Sequence, residues 1–228
     1  MQFRAVLYLP LIICLWFIAL QPRKPDTRSS SSFFDKIMDG GAVVVENPLI
    51  FSTLCLVFLN SFFVRGVLEI QPAIVGQLLA GDSASLAIVT AAAGIGSLMA
   101  SGWIGLGYLN KSQIQDLLLP MVLASIIITV ALHFFVNIVP ISVIFVVTGF
   151  TATLVGICAQ TLIQLEVDEN YRARVMTWWS TISFGSLVFR GVIIGFLGDI
   201  MGINYAVSVM MLIGTAAALF LFILRRQC

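Results

Sequence analysis

The chain has 228 residues, 60% of them hydrophobic and 10% charged, with twelve Lys and Arg against eleven Asp and Glu for a formal net charge of +1. Its mean hydropathy is +1.06. A soluble domain carries about 25% charged residues, so this composition excludes one, and the near-neutral balance gives no basic surface for nucleic acid.

A bilayer span takes about 20 mainly apolar residues. Stretches of that order occur at 5–20, 48–75, 84–107, 117–135, 139–162, 176–197 and 206–224, which predicts an all-α polytopic membrane protein with about seven transmembrane helices. The first stretch is short. Residues 1–20 form the first span, 21–47 a polar linker, 48–224 six further helices and 225–228 a tail. The opening run, Met1-Gln-Phe-Arg4 and then apolar residues, also fits a signal peptide. That alternative would carry the four basic residues of the linker outward. Cys14 does not suit a lipidated cysteine, because the bulky Ile13 precedes it.

Within the linker, residues 21–32 hold two prolines and four consecutive serines and read as a flexible connector. Residues 33–46 admit two readings. One is a short helix capped by Ser32, with Phe33, Phe34, Ile37 and Met38 on the membrane surface, Asp35, Lys36 and Asp39 in water, and Gly40 and Gly41 as its end. The other is a disordered connector.

The second span carries charges where charges are costly, at about 2.5–3.5 kcal/mol each on insertion scales. Ser61, Arg65 and Glu69 succeed one another at four-residue steps, which predicts one polar face and an Arg65–Glu69 pair. Pro72 offers a kink near the end of the span. In the third span Ala93, Ser97, Ser101 and Gly105 recur every fourth residue, the small-residue pattern of close helix packing in lipid; Gly191 and Gly195 repeat it in the sixth. In the fifth span Gly149, Thr153, Gly156, Gln160 and Gln164 form a polar stripe. The sixth has Trp179, Ser183, Ser186 and Arg190 on one side. Three helices with one polar face each suit a shared aqueous cavity. Two intramembrane arginines against one acid leave a positive surplus, which is costly unless water or an anion visits it. A structural ion pair that locks helices together is the alternative for Arg65 and Glu69.

Lys and Arg remain on the cytoplasmic side of membrane proteins. With residues 5–20 running inward, nine basic residues fall on one side and Arg4 alone on the other. The C-terminus is then cytoplasmic. The four cysteines share no close spacing, and His133 is the sole histidine. Neither a metal site nor a Ser-His-Asp relay is expected, so the sequence predicts no enzyme and no cofactor.

The run Gln160-Thr-Leu-Ile-Gln-Leu-Glu-Val-Asp-Glu-Asn-Tyr-Arg-Ala-Arg-Val-Met-Thr-Trp-Trp-Ser180 resembles the tenth-to-eleventh helix junction of the major facilitator superfamily, in the branch of enterobactin-exporter-like permeases. Asp168, Glu169, Arg172 and Arg174 stand where that branch has its acidic residue and Arg-x-Arg-Val-Met run. Gly198-Asp-Ile-Met-Gly-Ile203, Arg65-Gly-Val-Leu-Glu69 with Pro72, and Ala92-Ala-Gly-Ile-Gly96 are also similar, in the same order. The Gly-x-x-x-Asp-type loop after the eighth helix is a departure, reduced to Gly107-Tyr-Leu-Asn-Lys111.

On this resemblance the chain corresponds to the sixth to twelfth helices, that is, a transporter's C-terminal half. The resemblance implies a permease or antiporter of the bacterial inner membrane, moving a small molecule by alternating access, with proton-coupled efflux. Its implied partners are the lipid bilayer, the solute, protons and an N-terminal or partner half. The substrate or proton pathway would use Ser61, Arg65, Glu69, Thr153, Gln160, Gln164, Ser183, Ser186 and Arg190. The alternative from another class is a non-transporting assembly or regulatory protein derived from a transporter half.

Overall fold

The computed structural model describes residues 33–78, 83–107 and 109–227. The candidate span at 5–20 and the serine run of the linker lie outside them. Among the described residues there are helices and no strands, and five helices are long and apolar enough to cross a membrane. The chain is an all-α polytopic membrane protein.

In chain order the helices are α1 (Phe33–Glu46), α2 (Pro48–Glu69), α3 (Gln71–Leu78), α4 (Ser83–Leu106), α5 (Lys111–Val130), α6 (Ile138–Glu166), α7 (Glu169–Met201) and α8 (Ile203–Gln227). Helices α2 and α4 to α8 run up and down through short connections, so the starts of α2, α5 and α7 share one end with the close of α4, α6 and α8. At 29 and 33 residues, α6 and α7 span about 44 and 50 Å, more than the roughly 30 Å of hydrocarbon.

Helix α1 is one helix through Gly40 and Gly41, which do not end it as expected. The pair serves a different purpose, close approach to α7. A Cβ on Gly40 would lie 2.9 Å from Arg174 Cβ, and one on Gly41 would lie 3.2 Å from the Trp178 ring. Asp39 pairs with Arg174 at 3.3 Å, and the Arg174 guanidinium lies over the Tyr171 ring.

Helix α2 begins at Asn47, whose Oδ1 accepts from the backbone N–H of Leu49 and Ile50, with Pro48 in the first helical position. Residues Asn60–Arg65 form a π-helical turn inside it, in which the Gly66 N–H donates to the Ser61 carbonyl. The helix breaks at Ile70, just before Pro72, whose missing N–H cannot continue the ladder.

Helix α6 is the hub. Phe145, Leu154, Val155, Ala159 and Leu162 on it are fully buried, against α4 on one side and α5 on another. A Cβ on Gly96 of α4 would overlap the Val146 carbonyl, and one on Gly149 of α6 would overlap the Ala93 carbonyl. The two backbones touch there. Ser97 donates to the Ala93 and Gly149 carbonyls, and Thr153 donates to the Ser97 hydroxyl at 3.0 Å.

The small-residue stripe divides. Ala93 and Ser97 lie in the seam with Gly96 and Ala100, whereas Ser101 and Gly105 are exposed and open space surrounds Gly105. Each four-residue step overshoots a 3.6-residue turn by about 40°, so Gly105 sits about 120° around from Ala93. Gly191 and Gly195 also face open space and pack against no helix among the described residues.

Candidate functional site: a buried arginine facing a π turn

Helix α7 keeps its polar stripe turned inward. Val175, Ser183, Ser186, Arg190 and Ile194 are its buried positions, with Trp179 partly covered on the same side. The steps are of four residues with one of three, from Ser183 to Ser186, and from Trp179 to Arg190 eleven residues accumulate only about 20° of drift. Arg190 is 1% exposed, the largest fully buried side chain among the described residues. It lies eleven residues before Met201, about 17 Å along the helix axis.

Its guanidinium lies against the π turn of α2. A Cβ on Gly66 would overlap Arg190 Nη1 and Cδ, so the side chain passes over a backbone that only glycine leaves open. Nε, Nη1 and Nη2 of Arg190 have no hydrogen-bond partner among the described residues. Ser183 Oγ, Trp179 Nε1 and Asn60 Oδ1 are buried and equally unsatisfied. Asn60 is tied down by its other end, donating from Nδ2 to the Ala152 carbonyl at 3.4 Å, and Ser186 donates to the Ser183 carbonyl at 3.1 Å.

No acid among the described side chains answers Arg190. Asp39 and Glu166 are paired with Arg174 and Lys111, and Glu46, Glu69, Asp116, Asp168, Glu169 and Asp199 are exposed. An uncompensated buried charge costs several kcal/mol. Such a residue in a membrane span by default marks a functional site.

The expected stripe of Ser61, Arg65 and Glu69 does not form one face. Ser61 is buried, Arg65 half-buried and Glu69 exposed, and no ion pair joins Arg65 to Glu69. The π turn, which begins at Asn60 and ends at Arg65, shifts the register of Arg65 and Glu69 together relative to the helix before it. The α6 stripe is divided in the same way. Thr153 is taken up by the α4 seam, Gln160 is half-buried and Gln164 is exposed.

The α6–α7 junction contains only two non-helical residues, Val167 and Asp168. Asp168 caps α7 through its carbonyl, which accepts from Tyr171 and Arg172, and Asp168, Glu169 and Arg172 are all exposed. Beside the junction lies a cluster the sequence did not single out. Lys111 at the start of α5 pairs with Glu166 at the end of α6, and Asn47 Nδ2 donates to Glu166 at 3.3 Å. Both charged residues stand at helix ends far apart in sequence, so no local spacing reveals them.

No group of His, Cys, Asp and Glu among the described residues fits a metal ion, and Cys55 and Cys158 are free. Cys14, Cys228 and the His133 side chain lie outside the described part of the structure. Comparison with protein-family models, with curated proteins and with solved structures finds no match to the chain.

Proposed function

We propose that the chain is the C-terminal part of a secondary active transporter of the major facilitator type, moving a small solute across a bacterial inner membrane by alternating access, with proton-coupled export. One observation carries this reading: a fully buried arginine without a hydrogen-bond partner among the described residues, inside a membrane-spanning helix and on a polar face that meets a π turn. A protein that only needs rigid packing has no use for an unpaired charge there. The π turn supports motion, since single π turns inside α-helices recur at functional sites. Exposed Glu69, one turn beyond Arg65, is left to meet a proton or the other half of the transporter. The basic end of the bundle, with Lys111, Arg172 and Arg174, is the cytoplasmic side in this reading.

The test is flux in proteoliposomes enclosing a pH-sensitive dye, with an imposed proton gradient and a panel of organic anions, cations and neutral solutes. Solute-dependent proton movement is the expected result, reduced at least ten-fold by Arg190→Ala and by Glu69→Gln. If no solute moves protons, or both variants behave as the parent protein, the transport reading is wrong.

A further inference from the structure

We infer that Arg190 is the receptor for the carboxylate of a monoanionic organic solute. This rests on the transport reading and adds the charge class of what is carried. The unsatisfied groups on and beside the α7 face are mostly donors. Arg190 offers Nε, Nη1 and Nη2, Ser183 its hydroxyl and Trp179 its indole N–H, against a single free acceptor, Asn60 Oδ1. Trp179, Ser183 and Arg190 are spaced at four- and seven-residue intervals, so all three point off one face of the same helix. A surface rich in donors and poor in acceptors selects a ligand rich in acceptors, and a planar carboxylate matches the guanidinium fork with two parallel hydrogen bonds.

The charge count narrows the class further. Among the described residues Arg190 is the one fully buried cation, with no acid beside it, and it neutralises one negative charge, so a dianion would leave a net charge buried in a low-dielectric setting. A cationic solute would add a second positive charge to the same place. A neutral solute would leave the guanidinium without a counter-charge. The apolar surroundings suit the rest of such a solute: Ile182 packs on the core beside Trp179, and Val67 and Ile194 are buried next to Gly66 and Arg190. The guanidinium packs directly against Gly66, whose missing side chain is what leaves room for it.

The experiment uses the full chain in lipid nanodiscs, with benzoate as the probe, benzamide as its neutral counterpart and inorganic phosphate as the multivalent one. Thermal midpoint and Trp fluorescence are recorded for the parent protein, Arg190→Lys and Arg190→Gln. Benzoate is expected to raise the midpoint saturably, benzamide and phosphate to leave it unchanged. Arg190→Lys should weaken benzoate at least ten-fold, because an ammonium cannot form the fork, and Arg190→Gln should abolish it. Equal responses to benzoate and benzamide, a response to phosphate alone, or a benzoate response undiminished in Arg190→Gln would each overturn the assignment. The comparison of probes on the parent protein decides the matter even where a variant does not fold. Benzoate binding without any solute flux would leave the anion site standing and defeat the transport reading; flux of neutral solutes without benzoate binding would do the reverse.

Discussion

At Arg190 two costs meet in one side chain, a buried charge and a contact that tolerates no Cβ opposite it. Gly66→Ala places a methyl group into Arg190 Nη1 and Cδ, and overpacking of this kind costs about 1–3 kcal/mol. A lower thermal midpoint in detergent is expected. The loss should shrink when Gly66→Ala is combined with Arg190→Ala, because the truncation removes what the methyl group strikes; additive losses would show that the two residues do not touch. Arg190→Met is expected to behave in the opposite sense to most core changes. Exchanging an uncompensated buried charge for an apolar side chain of similar length should hold or raise the midpoint, by up to about 4 kcal/mol of stability, while removing benzoate binding. A midpoint that falls steeply would mean that the guanidinium has a partner outside the described residues.

Among the elements, the α4–α6 crossing and the outer face of α7 make a controlled comparison of glycines. Gly149→Val must push Ala93 away backbone against backbone, and no flexible side-chain tip can yield. A loss of at least about 2 kcal/mol is expected in reversible unfolding, with Gly96→Val alike. Gly191→Ala and Gly195→Ala meet open space and should stay within about 0.5 kcal/mol. If they destabilise as much as the seam glycines, another helix covers that face of α7. By spacing alone all these small residues rank equally, and the helix period explains why only some of them pack. A strict four-residue repeat leaves its own face within three turns, as from Ala93 to Gly105, whereas the mixed spacing from Trp179 to Arg190 stays on it. Hydrophobic runs located the five spanning helices of the described residues, and mixed spacing located the inward face of α7. What no single-chain pattern revealed is the π turn, where Asn60 and its neighbours pack against α5, α6 and α7.

Across residues 33–227 the ion pairs of the described bundle lie at one end, where Asn47, Lys111 and Glu166 tie the starts of α2 and α5 to the close of α6 and Arg174 holds α1. Under that tie, Ile104, Leu109, Ile114, Ile157, Cys158 and Thr161 line a cavity of about 210 Å³. Cys158 is 2% exposed, so a thiol reagent reaches it only when this end opens. The Glu166 side chain retains 20% of its exposure and Lys111 retains 49%, which limits the pair to about 1 kcal/mol, a factor of roughly five in an opening equilibrium. Lys111→Gln and Glu166→Gln should therefore each speed alkylation of Cys158 by about five-fold in a protein whose Cys14, Cys55 and Cys228 are replaced by Ser, measured in membranes with a maleimide. The double variant should be no faster than either single one, since one broken pair is the whole effect. Asp39→Asn, which loosens Arg174 at the same end but off the α5–α6 junction, serves as the control and should leave the rate unchanged. An unaltered rate in the Lys111 and Glu166 variants would place the closure of this end in the α4–α6 backbone seam rather than in the charge pair.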